Sequence, residues 1–246
     1  MNLPSIQTLI GRGALFVVNH SAGKDSQAMF IKLRAMIPPH QLLVVHAVLP
    51  DVEWGGVIEH IQATVGETPT IFAKAPKTFF EMVEKNGRFP IAGNRQCTSD
   101  LKRDPIEREL RRYLRNHPEF GGLIVQCFGI RAAESASRRR QVPFTHYSRG
   151  SKAGREWFHW KPIFDLSEAE VFSTIAGAGE KPHWAYRAGM TRLSCCFCIM
   201  ASRQDLTTAA RLNPSLYRRY VETERRLGFT LSMSRQPLPH TTGIAA

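Results

Sequence analysis

An α/β fold built on a doubly wound parallel sheet is predicted by three features of this 246-residue sequence. Short apolar runs alternate with amphipathic stretches along most of the chain. The runs are rich in β-branched residues and lack polar alternation, as strands buried on both faces do. A small glycine-containing loop joins the first run to the first amphipathic stretch, the arrangement of a β–loop–α unit.

The elements follow in order. ALFVVNH (14–20) reads as a buried strand bounded by glycines. SQAMFIKLRAMI (26–37) is helical, with Met29, Leu33, Met36 and Ile37 on one face, and Pro38-Pro39 stops it. QLLVVHAVL (41–49) is a second strand and GGVIEHIQATVG (55–66) a second helix. TPTIFAKA (68–75) is a third strand. TFFEMVEKNG (78–87) is a helix closed by glycine. DPIERELRRYLRN (104–116) is strongly amphipathic, with Ile106, Leu110, Tyr113 and Leu114 inward and arginines outward. GLIVQCFGIR (122–131) is a fourth strand. Residues 131–155 carry seven basic side chains against one acid and read as a mobile basic loop. WKPIFDLSEAEVFSTIAG (160–177) gives an extended entry and a helix, with Ser167 and Glu170 as its capping box. A last helix spans 213–228. The expected organisation is an α/β domain over 1–178, a mostly helical, cysteine-containing segment over 179–232 packed on it, and a disordered tail over 233–246.

Lys and Arg number 33 against 21 Asp and Glu, a formal charge of +12. That excess favours a polyanionic partner, nucleic acid or nucleotide. No apolar run reaches the roughly 18–20 residues of a membrane span. The first residues lack a signal-peptide pattern, so no membrane association and a cytoplasmic location are expected.

SAGKDS (21–26) stands where the first strand gives way to the first helix. Backbone N–H groups and the positive helix end there suit phosphate oxygens. Gly23 allows close approach, Ser21 and Ser26 offer hydroxyls, Lys24 offers charge, and Asp25 can reach a metal or a backbone donor. The Walker A pattern is absent. Three of only five cysteines, Cys195, Cys196 and Cys198, fall within RLSCCFCIM (192–200). In a reducing compartment such clustering points to metal binding or catalysis rather than disulfides. Adjacent Cys195 and Cys196 fit disulfide geometry poorly. Cys127, inside the fourth strand, is a small core residue.

Taken together these stretches resemble one family. SAGKDS resembles the SGGKDS loop of the PP-loop ATP pyrophosphatase superfamily, with Ala22 in place of a glycine, a change that is tolerable unless a positive φ is needed. CTSDLKRDPI (97–106), GIRAAESASR (129–138), WKPIFDLSEAEVF (160–172) and HWAYRAGMTRLSCCFC (183–198) resemble, in order, segments of the phosphoadenosine-phosphosulfate (PAPS) reductase family. The resemblance covers about residues 14–228. It implies a Rossmann-like adenine nucleotide α-hydrolase fold, with ligand beyond the carboxyl ends of the strands.

The resemblance also implies roles. Ser21, Gly23, Lys24, Asp25 and Ser26 would hold phosphates. Asp51, and Glu53 with it, would lie near the adenosine, and Gly129 and Arg131 would close over the nucleotide. Lys24, Asp25 and Arg131 would be catalytic. Glu134, Arg138 and Arg192 would contact substrate, with a structural arginine pairing an equal prospect for Glu134. Cys97, Cys195 and Cys198, with Cys196 as a candidate fourth, would hold a [4Fe–4S] cluster, zinc being the rival occupant. His20 is expected to pack or cap, His183 is a candidate contact to substrate or cluster, and a catalytic role is the lesser prospect for either.

Two enzymatic readings result. One is cleavage of ATP, with Mg²⁺, to AMP and pyrophosphate. It adenylates an acceptor, nucleic acid by preference, for cluster-assisted sulfur transfer from a sulfur donor or partner subunit. The other is reduction of a sulfonucleotide, APS or PAPS, which needs a nucleophilic cysteine. Reductases of that kind carry one near their C-terminus, and no cysteine follows Cys198 here. A non-catalytic nucleotide-binding regulator is the third reading, disfavoured by the nearly intact loop.

Overall fold

The protein is described by a computed structural model covering residues 3–246. Its sheet has six strands: β1 (Leu15–Asn19), β2 (Leu42–Val48), β3 (Thr70–Lys74), β4 (Leu123–Phe128), β5 (Phe144–His146) and β6 (Glu156–Trp160). Their order is β3-β2-β1-β4-β6-β5. β1 pairs in parallel with β2 on one side and β4 on the other, and β4 pairs in parallel with β6. β5 lies at the edge, antiparallel to β6. β2 is buried at every position and β1 and β4 at all but their last, which is why these stretches are mostly apolar rather than alternating, with His46 in β2 and Gln126 in β4 as buried polar residues. The direction of winding reverses between β1 and β4, so their carboxyl ends form the switch point where such sheets take ligands.

The helices are α1 (Ile6–Gly11), α2 (Lys24–Arg34), α3 (Val57–Val65), α4 (Phe79–Asn86), α5 (Gln96–Thr98), α6 (Asp104–Asn116), α7 (Ala136–Arg139), α8 (Glu168–Gly177), α9 (Trp184–Arg187), α10 (Arg203–Leu212), α11 (Pro214–Leu227) and α12 (Leu238–Thr242). A π-helical turn, Ser99–Arg103, runs between α5 and α6. The capping box expected at Ser167 is present: Glu170 N–H donates to Ser167 Oγ at 3.2 Å, and Ser167 N–H to Glu170 Oε2 at 2.7 Å. α8 packs on α2 through Val171, Ile175 and Ala28. Among the described residues no helix is long and apolar enough to cross a membrane.

Three expectations are corrected. The basic stretch 131–155 is not wholly a loop, since it contains α7 and β5 and leads into β6. β5 is a three-residue edge strand, too short for a periodic signal, and it is held by Phe144 stacking on Phe158 at 5.3 Å. The tail is ordered. Glu224, buried in α11, accepts N–H bonds from Leu231 at 2.7 Å and Leu238 at 2.8 Å, and Tyr217 donates its hydroxyl to the Ile244 carbonyl at 2.6 Å. The third correction concerns domains. The chain forms two interleaved compact units rather than a break near 178. One comprises residues up to His46, Ile58–Ala73 and Ile106–Pro182. The other comprises Ala47–Val57, Lys74–Pro105 and His183–Ala246. The excursions after β2 and β3 join the C-terminal third through aromatic contacts, Trp54 of the first meeting Trp184 with ring centroids 5.7 Å apart. Phe79, Phe80 and Phe89 pack around Tyr220, with ring centroids 5.7, 5.0 and 5.8 Å away.

Candidate functional site

In the first unit the loop His20–Gly23 leaves β1 and turns into α2. Gly23 is the N-cap, and no side chain caps the helix start. Its first-turn N–H groups therefore rely on backbone, water or an anion. Ala22 stands at φ 60, in the left-handed region that L-residues avoid. The loop is held from within. His20 Nδ1 accepts the Ala22 N–H at 3.1 Å, Ser26 Oγ accepts the Ser21 N–H at 3.1 Å, and Ser26 Oγ donates to the Gly23 carbonyl at 2.9 Å. Ser26 thus shapes the loop with its own hydroxyl. His20 caps, as expected. It is buried, and burial foremost, with His46 and His60 nearby, lowers its pKa to about 3, so the ring is neutral.

Lys24 and Asp25 open α2. The Lys24 ammonium lies 3.5 Å from Asp25 Oδ2 and 3.2 Å from Glu168 Oε1, and 5.9 Å from the centre of the Phe172 ring. Arg131, buried at the exit of β4, donates from Nε to Asp25 Oδ1 at 2.6 Å and from a terminal nitrogen to the Leu166 carbonyl at 3.4 Å. Gly129 lets β4 and the loop meet: a Cβ there would fall 3.0 Å from Asp25 carbonyl carbon and Ser26 nitrogen. Lys24, Asp25, Arg131 and Gly129 are thereby brought together. Glu134 accepts the Arg131 N–H at 2.9 Å and pairs with Arg138. The structural prospect for Glu134 is the one these contacts fit.

The second unit carries Asp51 and the cysteines. Asp51 Oδ2 accepts the Phe80 N–H at 3.3 Å, and its Oδ1 is buried without a hydrogen-bond partner. Cys97 is the middle residue of the short helix α5 before the π turn, and Cys195–Cys198 form a tight turn before α10. All five cysteines are free thiols. Cys97, Cys195 and Cys198 are electrostatic neighbours of one another and of Lys102. Those thiols, Cys195 foremost, raise the Lys102 pKa. Burial raises the Cys97 pKa, pushes Cys195 up to about 11 and pushes Cys196 up to about 12. Cys196 is set apart: it is fully buried, and its N–H donates to the Val52 carbonyl at 2.9 Å. Among the described residues no three His, Cys, Asp or Glu side chains are grouped so as to hold a metal ion. Three free thiols on one unit are the donor chemistry that an iron–sulfur cluster or zinc takes. Arg192 is exposed, on a turn tied down by buried Asp205, which accepts from Thr191 N–H at 2.7 Å. His183 is buried, and its Nδ1 accepts the Ala185 N–H at 3.3 Å, a capping role.

Sequence reasoning missed Glu168 and Lys102. Glu168 lies beside the capping residue and reads as a helix-start acid. Lys102, within CTSDLKRDPI, reads as one more exposed base of a charged stretch. Its place five residues after Cys97, on the same helical segment, was the available signal.

Comparison with known proteins gives a consistent result. The chain is 26% identical over 171 residues to an uncharacterised 37.8 kDa protein of Escherichia phage 186, covering 68% of this chain and 49% of that protein. It is 29% identical over 120 residues to the adenosine 5′-phosphosulfate reductase of a Neisseria meningitidis serogroup A strain, covering 47% and 43%. The chain thus spans about half the length, or less, of these curated relatives. Among solved structures, a Candida auris phosphoadenylyl-sulfate reductase aligns with TM-score 0.48 and 10% identity over 73% of this chain and 80% of that one. A Candida glabrata FMN adenylyltransferase aligns with TM-score 0.46 and 13% identity, over 74% and 54%. The phosphoadenosine phosphosulfate reductase domain model matches residues 16–201, from β1 through the cysteine turn, and the chain therefore belongs to that family of the PP-loop superfamily.

Proposed function

We propose that this chain is a PP-loop enzyme that cleaves ATP to AMP and pyrophosphate and so adenylates an acceptor, nucleic acid by preference, for sulfur transfer. The observation that carries the reading is the pairing of Lys24 and Arg131 about Asp25 at the uncapped start of α2. Loop amides and the Lys24 ammonium would neutralise charge growing on the leaving pyrophosphate. Mg²⁺ arriving with the nucleotide would supply further charge neutralisation, as a hard cation suited to oxygen ligands. The acceptor oxygen attacks the α-phosphorus, the bond to pyrophosphate breaks, and AMP becomes the group that sulfur later displaces.

Cys97, Cys195 and Cys198 would hold an iron–sulfur cluster, which would supply a binding place for sulfur. Lys102 beside them favours the thiolate form that such ligands need. Exposed Arg112, Arg115, Arg139, Arg140 and Arg149 supply the charge for a phosphate backbone. The test is to follow labelled ATP with DNA, tRNA and small acceptors. Acceptor-dependent AMP and pyrophosphate in equal amounts support the reading, and their absence with every acceptor removes it.

The Neisseria relatives favour a second reading, sulfonucleotide reduction. It needs a thiolate nucleophile, and the first reading commits Cys97, Cys195 and Cys198 to a cluster instead. Sulfite released from either sulfonucleotide by the purified protein would replace the first reading with this one.

A further inference from the structure

The Lys24 side chain is only 5% exposed, and its ammonium lies between two carboxylates, Glu168 at 3.2 Å and Asp25 at 3.5 Å. The second Asp25 oxygen is taken by Arg131 at 2.6 Å. These two cations and two anions sum to zero charge, at the one place on the first unit where phosphate charge is expected to arrive. One carboxylate must yield if Lys24 is to neutralise a polyphosphate. Asp25 is poorly placed to do so, being 18% exposed and bound to both cations. Glu168 is 60% exposed and can turn into water at little desolvation cost. Its backbone need not move, because the Ser167–Glu170 capping box and the Val171–Ile175–Ala28 packing fix α8 on α2. Phe172, four residues after Glu168 and so on the same helix face, keeps its ring 5.9 Å from the ammonium and gives it a resting surface.

We propose that Glu168 is a displaceable counter-ion. It holds the Lys24 ammonium against α8 while the loop is empty, and the phosphates of an incoming nucleotide take its place. Glu168 is thus a positioning residue that lowers affinity for polyphosphate. This rests on the reading that SAGKDS binds phosphate.

The experiment titrates the full chain with inorganic pyrophosphate, ATP and adenosine by calorimetry, at low and high ionic strength. It compares the natural protein with Glu168→Gln, Lys24→Ala and the double variant. Glu168→Gln should bind pyrophosphate about five-fold tighter at low salt, the scale of one exposed ion pair. The gain should shrink at high salt. It should vanish in the Lys24→Ala background, and adenosine binding should not change. Equal or weaker pyrophosphate binding by Glu168→Gln, or the same gain without Lys24, overturns the proposal alone. A natural protein that binds neither pyrophosphate nor ATP removes the phosphate-loop reading and this proposal with it.

Discussion

The Nδ1 of His20 accepts the N–H of Ala22 at 3.1 Å, and Ala22 is held at φ 60. A neutral imidazole thus fixes an alanine in a conformation that suits glycine. Left-handed backbone costs an L-residue about 1–2 kcal/mol. Ala22→Gly relieves that strain but loses a buried methyl and adds unfolded-state entropy of about 0.5–1 kcal/mol. The variant should unfold within about 1 kcal/mol of the natural protein. Ala22→Val puts a branched side chain into the same buried, left-handed position and should lose more than about 2 kcal/mol. Denaturant unfolding measures both, and a harmless valine would show that the loop does not hold this φ.

The same imidazole makes stability depend on pH. Burial, then His46 and His60, lower the folded pKa of His20 to about 3 from an ordinary 6.5. The unfolded chain takes up the proton more readily, so stability is full above about pH 6.5 and falls as pH drops from there towards 3. At pH 5 the loss due to His20 should be about 2 kcal/mol. His20→Asn removes the titration while keeping an acceptor near Ala22. Unfolding at pH 7 and pH 5 should show a smaller acid loss in that variant, by about that amount. Parallel losses in both proteins would assign the acid sensitivity to other groups.

Glu224 organises the residues after α11 by accepting from the Leu231 and Leu238 N–H groups, 7 and 14 positions on, although its register on α11 makes it look like a solvated helix acid. Burial raises its pKa although both N–H bonds pull it down. Glu224→Ala leaves two buried donors without an acceptor and should cost about 2–4 kcal/mol. Amides of α12 should then exchange as fast as a free peptide, and a protease should cut after α11. A protected α12 in this variant would mean that the Tyr217–Ile244 and Tyr217–Thr242 contacts hold the tail alone.

The sheet was legible because β1, β2 and β4 are buried on both faces and are mostly apolar there, the buried polar His46 and Gln126 being held by hydrogen bonds. α6 was legible because its inward Leu110 and Leu114 recur at helical spacing. β6 was harder: EWFHW mixes charge, imidazole and indole, since its partner β5 and flanking loops leave it only partly covered. The tail misled for a related reason. Its order comes from one distant carboxylate and one hydroxyl, and no local pattern encodes them. At the phosphate loop, residue types announced the chemistry, but the internal pairing of Asp25 with Arg131 joins residues 106 positions apart and needed the fold.

The cysteines separate by environment, and that gives the last prediction. Cys97, Cys195 and Cys198 share one another's field and that of Lys102, whereas Cys196 is buried against the Val52 carbonyl and is coupled among the thiols only to Cys195. Protein purified without oxygen should contain about four iron and four sulfide per chain if these thiols hold a cubane. Cys97→Ser, Cys195→Ser and Cys198→Ser should each lose most of the iron. Cys196→Ser should keep it, because a serine hydroxyl fits the same buried space and the three-thiol set is untouched. Loss of iron in Cys196→Ser as complete as in the other three would make Cys196 the fourth ligand. One zinc and no iron would instead mean that the turn closes about a single ion on loading, a staple for the second unit, and would leave sulfur chemistry without a centre on this chain.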